Sequence, residues 1–184
     1  MMGRQMKLLD ELRTYHPADA EEVRHCARVV DLLTAIDAPF SRASFRPGHI
    51  TASCFIIDKD ARLLLHQHRR LRRWLQMGGH VEEDESPCEA ALREGSEESG
   101  LRDLQLVGGI FDIDVHAIPA GRGEPDHDHF DVRYLARTGD PQAITIDRAE
   151  SDELAWVTLA DARGLMPSPE SWRVIRKIET LCRS

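Results

Sequence analysis

The chain has 184 residues, 41% of them hydrophobic, with a formal net charge of −8. That length suits one domain whose core needs no disulfides, and the acidic balance argues against a nucleic acid polymer or an anionic membrane as partner, since both demand a basic surface. Cys26, Cys54, Cys88 and Cys182 form no CxxC pair and read as buried thiols of a reducing compartment; with no run near the ~20 apolar residues of a membrane span and no signal-like N-terminus, the cytoplasm is the expected location.

Residues 19–36 read as a helix, because Asp19 and Glu22 have capping-box spacing and Val23, Cys26, Val30 and Leu33 recur at helical intervals. Residues 51–58 and 62–68 are β-branched and aliphatic runs on either side of Lys59-Asp60, which predicts a hairpin. Ser86, Pro87 and Glu89 then mark a helix start, and Gly100 its end. Residues 111–116 and 127–134 alternate polar and apolar positions as half-buried strands do, with 119–126 connecting them. A short strand at 154–157 and a short helix at 158–165 follow, and Trp172, Ile175, Ile178 and Cys182 predict the buried stripe of a last helix. This order suits an α/β (α+β) fold, a mixed sheet packed between helices.

The densest pattern is GHVEEDESPCEAALREGSEESGL, residues 79–101. Glu94, Glu97 and Glu98 stand at i, i+3 and i+4 and share one helix face. Like charges at that spacing repel by roughly 0.2–0.5 kcal/mol per pair, and a hard divalent ion with oxygen ligands removes the penalty. A solvated acidic face is the ordinary explanation of an ExxEE run, but it leaves Gly79, Glu85, Arg93 and Gly100 unexplained. These positions, with Leu101, match the signature of the Nudix hydrolases: Gly, five residues, Glu, seven residues, Arg-Glu, two residues, Glu-Glu, one residue, Gly, aliphatic. The segment therefore resembles that family. One position departs: Gly95 stands where relatives carry an aliphatic residue, at a cost on the order of 1 kcal/mol inside a helix unless something packs closely there.

The resemblance implies a Nudix-like mixed sheet over residues 46–184, with residues 1–45 as a helical extension packed on it. It implies Mg2+, with Mn2+ as substitute, held by Glu94, Glu97, Glu98 and a carbonyl at Gly78, while Arg93 and Glu85 pair as supports. The implied reaction is hydrolysis of a diphosphate bond in a small nucleotide-like substrate. A nucleoside diphosphate linked to another group, such as a nucleotide sugar or ADP-ribose, is the favoured class; a nucleoside triphosphate pyrophosphohydrolase and a non-catalytic nucleotide sensor are the alternatives. An isoprenoid diphosphate isomerase fits poorly, since neither Cys54 nor Cys88 has an activating context. Helix 19–36 is a candidate surface for a homodimer.

Beyond the signature, Arg70 and Arg73 in the basic run 66–76 are candidates to hold substrate phosphates, and Trp74 to stack on a base, although a solvated loop and simple packing explain them as well. His127, His129, Asp131 and Arg133 share one strand face, and Asp112, Asp114 and His116 another. If those faces coincide, His129 and Arg133 join a polar cluster suited to substrate recognition. Two histidines without a third at a motif spacing make a poor zinc site. Glu150 and Glu153 are candidates for an acid outside the signature.

Overall fold

The computed structural model describes residues 2–121 and 123–183. Two helices, α1 (Met2–Thr14) and α2 (Ala20–Ala35), precede a curled mixed sheet of β1 (Gly48–Ile57), β2 (Leu63–His68), β3 (Arg73–Leu75), β4 (Met77–His80), β5 (Gln105–Leu106), β6 (Asp112–Ile118), β7 (His127–Arg137) and β8 (Ser151–Val157). The helix α3 (Pro87–Ser99) follows β4, and α4 (Leu159–Leu165) and α5 (Pro169–Arg183) close the chain. No helix among the described residues is long and apolar enough to cross a membrane.

The predicted hairpin exists only at its tip, where Ile56 pairs with Leu64 and Ile57 with Leu63. Beyond it the strands part: β1 runs parallel to β7 along its whole length and antiparallel to β4, while β2 turns to β3 and β8. Period-two patterning could not foresee this, because β1 is buried on both faces. One face carries Ile50, Ala52, Cys54 and Ile56 into a core shared with Leu8, Val29, Leu32 and α3; the other carries Phe55 and Ile57 into a second core with Val174, Ile175 and Ile178. The sheet is thus sandwiched between helices.

Two predicted stripes turn out differently. On α2 the buried residues are Glu22, His25, Val29, Leu32 and Leu33, whereas Val23 is 54% exposed. The polar pair is drawn inward by the sheet edge: Glu22 Oε1 accepts from the Ile113 N–H at 3.1 Å and His25 Nδ1 from the Val115 N–H at 3.3 Å. α2 therefore covers strand groups of β6 that no neighbouring strand pairs among the described residues. On α5 the stripe is Arg173, Val174, Ile175 and Ile178, with Trp172 and Cys182 exposed; Cys26 and Cys88 are half-buried, leaving Cys54 as the one fully buried thiol of the four. The helix α1 had no clear signature in the sequence. Its Arg4 donates to the carbonyls of Glu82 and Glu85 at 2.8 and 3.1 Å and so ties the N-terminal segment to the loop before α3.

Candidate functional site

α3 begins as its sequence predicts. The Glu89 carboxylate accepts from the Ser86 N–H at 2.8 Å, Pro87 occupies the first turn, and Gly100 closes the helix in the left-handed region. Gly95 has a packing explanation: a Cβ there would come within 3.2 Å of Cys54 Sγ and 3.1 Å of Leu104, so its absence lets α3 lie close on β1. On the opposite side α3 presents its acids to a cleft of about 1930 Å3. Glu98 is buried and accepts from the Gly78 N–H at 2.9 Å. Glu94 lies against Gly79 so closely that a Cβ there would meet its carboxylate at 2.3 Å. Burial pushes the carboxyls of Glu94 and Glu98 up, and Glu98 is raised further by a hydrogen bond with Glu150. Such crowding of oxygen donors is what a hard divalent cation relieves.

Arg93 places a positive charge directly among these acids. It grips Glu85 with two hydrogen bonds of 2.9 and 3.1 Å, and reaches Glu94 at 2.9 Å, Glu97 at 3.1 Å and the His80 carbonyl at 3.0 Å. Glu97 is 60% exposed and stands at the margin, outside the cleft lining formed by Glu94, Glu98 and Glu150.

A NUDIX domain profile matches residues 47–178. The chain belongs to the Nudix family. A relative from Lactococcus lactis subsp. cremoris, described as a "Probable DHNTP pyrophosphohydrolase", is 28% identical over 126 residues, 67% of this chain and 75% of the relative. Among solved structures the fold resembles a C. elegans Ap4A hydrolase in a binary complex, with a TM-score of 0.61 at 22% identity over 73% of this chain and 97% of the other. It also resembles the E. coli dihydroneopterin triphosphate pyrophosphohydrolase, with a TM-score of 0.56 at 22% identity over 74% and 94%. The protein is accordingly a Nudix hydrolase, acting on acid anhydrides.

The remaining Nudix cleft residues come from the sheet. The register of β6 on β7 pairs Asp112 with Arg133, Asp114 with Asp131 and His116 with His129, so the two polar faces do coincide. They then divide. Arg133 is buried, with its guanidinium donating to Asp131 and Asp114 at 2.8 Å and Asp112 at 3.3 Å, and it does not line the cleft. As a substrate contact it is therefore excluded by burial in an ion-pair network, which Arg173 extends by gripping Asp112 at 2.8 and 2.9 Å. Burial opposes the ionised form of Asp114, yet Arg133 and His116 hold it well below the usual carboxylate range. Asp131 links this network to the cleft, accepting from Thr51 and Ser53 as well as Arg133.

His129 does line the cleft, and it has company. His49 on β1 and His80 on β4 bring their rings to 5.0 and 5.6 Å of it, centroid to centroid, and His127 lies 5.2 Å away. Burial lowers His129 to about 2 and His49 to about 4, so these rings are neutral near pH 7; burial lowers His80 too. Neither His49 nor His80 stood out in the sequence, because each belongs to a different strand and only the pairing of β1 with β4 and β7 unites them.

Of the other predicted contacts, Arg70 lines the cleft, but Arg73 is exposed outside its lining and Trp74 packs against the second core. The geometry thus gives Trp74 a packing place outside the cleft lining. Glu150 reaches Glu98, whereas Glu153, opposite Gln67 on β8, is exposed and outside the cleft lining.

Proposed function

We propose that the protein hydrolyses a diphosphate bond in a nucleoside diphosphate linked to another group, using Mg2+ with Mn2+ as substitute. The observation that carries this reading is the convergence of Glu94, Glu98 and Glu150 in one cleft, with Arg93 behind them and Arg70 on the lining. The donor set is all oxygen, which fits Mg2+; Glu94, Glu98, the margin residue Glu97 and the Gly78 carbonyl would hold it. When bound, the ion supplies charge neutralisation at phosphoryl oxygens and acidification of water.

The chain's own groups do the rest. Arg93 fixes the loop through Glu85 and holds the Glu94 carboxylate in place; Glu150, beside Glu98 on the cleft lining, is the acid from outside the signature that orients water or takes its proton. Arg70 offers a cation to substrate phosphate. Residues 46–184 are read as the catalytic domain and 1–45 as an extension that braces its loop through Arg4. The length of the cleft lining, which takes in both the acids and the histidines, favours an extended substrate with groups on both sides of the scissile bond.

A second reading, a nucleoside triphosphate pyrophosphohydrolase, is favoured by the name of the Lactococcus relative. A panel of nucleotide sugars, ADP-ribose, dinucleoside polyphosphates and nucleoside triphosphates with Mg2+, resolved by chromatography, separates the two. In ¹⁸O-labelled water the label should appear on a phosphate product; label on the organic fragment would reject attack at phosphorus.

A further inference from the structure

We propose that His49, His80 and His129 form a second metal site, for a transition-metal cation of the Zn2+ class, chemically distinct from the carboxylate cluster of α3. One ring nitrogen from each lies within 4.8 Å of the others. Tetrahedral Zn2+ with bonds of about 2.0–2.1 Å places its donors roughly 3.3 Å apart, so modest rotations of the half-buried His80 and His129 rings about the buried His49 close the site.

The decisive observation is at His49, which is 1% exposed. Its Nδ1 lies 3.2 Å from the Ser44 carbonyl, which can only accept, so Nδ1 carries the proton and Nε2 a bare lone pair. That Nε2 has no hydrogen-bond partner among the described residues. A buried, unpartnered acceptor on a ring whose centroid lies 5.1 Å from that of His80 and 5.0 Å from that of His129 is costly unless something electron-poor sits there. The same arrangement, one nitrogen tied to a carbonyl and the other bare, is how metal-ligating histidines are oriented. His127 beside the cluster shares the carbonyl tie, with Nδ1 at 2.9 Å from the Pro125 carbonyl and its ring stacked on His49 at 5.1 Å.

Donor chemistry separates the two sites. Imidazole selects Zn2+ and its neighbours, while the carboxylates of α3 select Mg2+. Three protein ligands leave a coordination position, and because His80 and His129 line the cleft, a water or a phosphate oxygen from the cleft completes the shell. β4 joins the sites: the Gly78 N–H serves Glu98, and two residues on His80 serves the cluster. The proposal does not depend on which anhydride is hydrolysed.

The test is a Co2+ titration of the metal-stripped full chain, followed by visible d–d absorption and repeated in competition with Zn2+. Apart from the weak octahedral absorption of Co2+ on the α3 carboxylates, which Mg2+ displaces, wild type should show about one equivalent with the intense bands of a tetrahedral site, displaced by Zn2+ and not by Mg2+. His129→Gln and His80→Gln should each weaken binding on the order of 100-fold, and Glu98→Gln should leave it unchanged. Absence of such bands in wild type, or their loss in Glu98→Gln with retention in both histidine variants, overturns the proposal. Circular dichroism checks that the variants fold. Should His129→Gln unfold, His80→Gln decides, together with the ring ¹⁵N shifts of wild type on adding Zn2+.

Discussion

Glu94, Glu97 and Glu98 rise from one turn of α3, and the loop and arginine that support them lie within the same 23-residue signature, so that region of the cleft is local in the chain. The histidine region is the reverse. His49, His80 and His129 come from three strands and meet only because β1 pairs antiparallel with β4 and parallel with β7. Beneath them, Asp131, Arg133, Asp112 and Arg173 link β7, β6 and α5 in a buried chain of charge. One cleft is thus built by helix periodicity at one side and by sheet register at the other, and the two sides should respond to perturbation differently.

The largest effect should come from cutting the register-built side at its base. Arg133→Ala leaves Asp112, Asp114 and Asp131 buried with an ion-pair partner missing, a defect worth about 3–5 kcal/mol. Urea unfolding should show it as a large drop in midpoint. A near-wild-type midpoint would mean that the network is not what holds β6 to β7.

On the helix side, activity and stability should separate. Glu98→Gln should cut kcat by on the order of 100-fold or more with Mg2+, since it removes a buried ligand charge while keeping its shape. The metal-free variant should melt at or above wild type at pH 8, because a carboxylate crowded by Glu94 and Glu150 is relieved. Unchanged turnover would sink the metal assignment. Arg93→Ala should do both kinds of damage at smaller scale, losing roughly 1–3 kcal/mol of stability through the unpaired Glu85 as well as activity. A variant that lost activity alone would show Arg93 to act on substrate and not as a brace.

Which parts were legible follows from the same contrast. The capping residues of α3, its acid face and its glycine end are local statements, and they hold in the fold. The coincidence of the β6 and β7 polar faces was conditional on register, and the register satisfies it, yet burial then sends Arg133 inward and His129 outward along one strand face. No local pattern encodes that division, because the acids of β6 that bury Arg133 and the histidines of β1 and β4 that surround His129 come from other strands. The same holds for α2: its apolar spacing fits a stripe through Val23, but unpaired N–H groups of β6 draw Glu22 and His25 inward. Polar demand from the sheet overrode hydrophobic periodicity.

The two regions should also titrate with opposite signs, which gives the finest test of the comparison. Glu98 has its folded pKa raised above that of a free carboxyl by burial, so its charge costs stability as pH rises from about 4.5 toward the raised value, and acidification restores it. His49 and His129 are lowered from 6.5 to about 4 and about 2 by burial, so they contribute nothing above 6.5 and destabilise increasingly as pH falls from 6.5, until the penalty levels off at about 4 for His49 and about 2 for His129. His66, lowered to about 4 by burial, pulls in the same direction from outside the cluster. Melting temperature against pH for the metal-free chain should therefore form a dome. Glu98→Gln should flatten its alkaline limb and His129→Gln its acid limb, each leaving the other limb in place. If one variant flattened both limbs, the two regions would be a single coupled titrating unit, and their separation into a helix-built and a sheet-built half would fail.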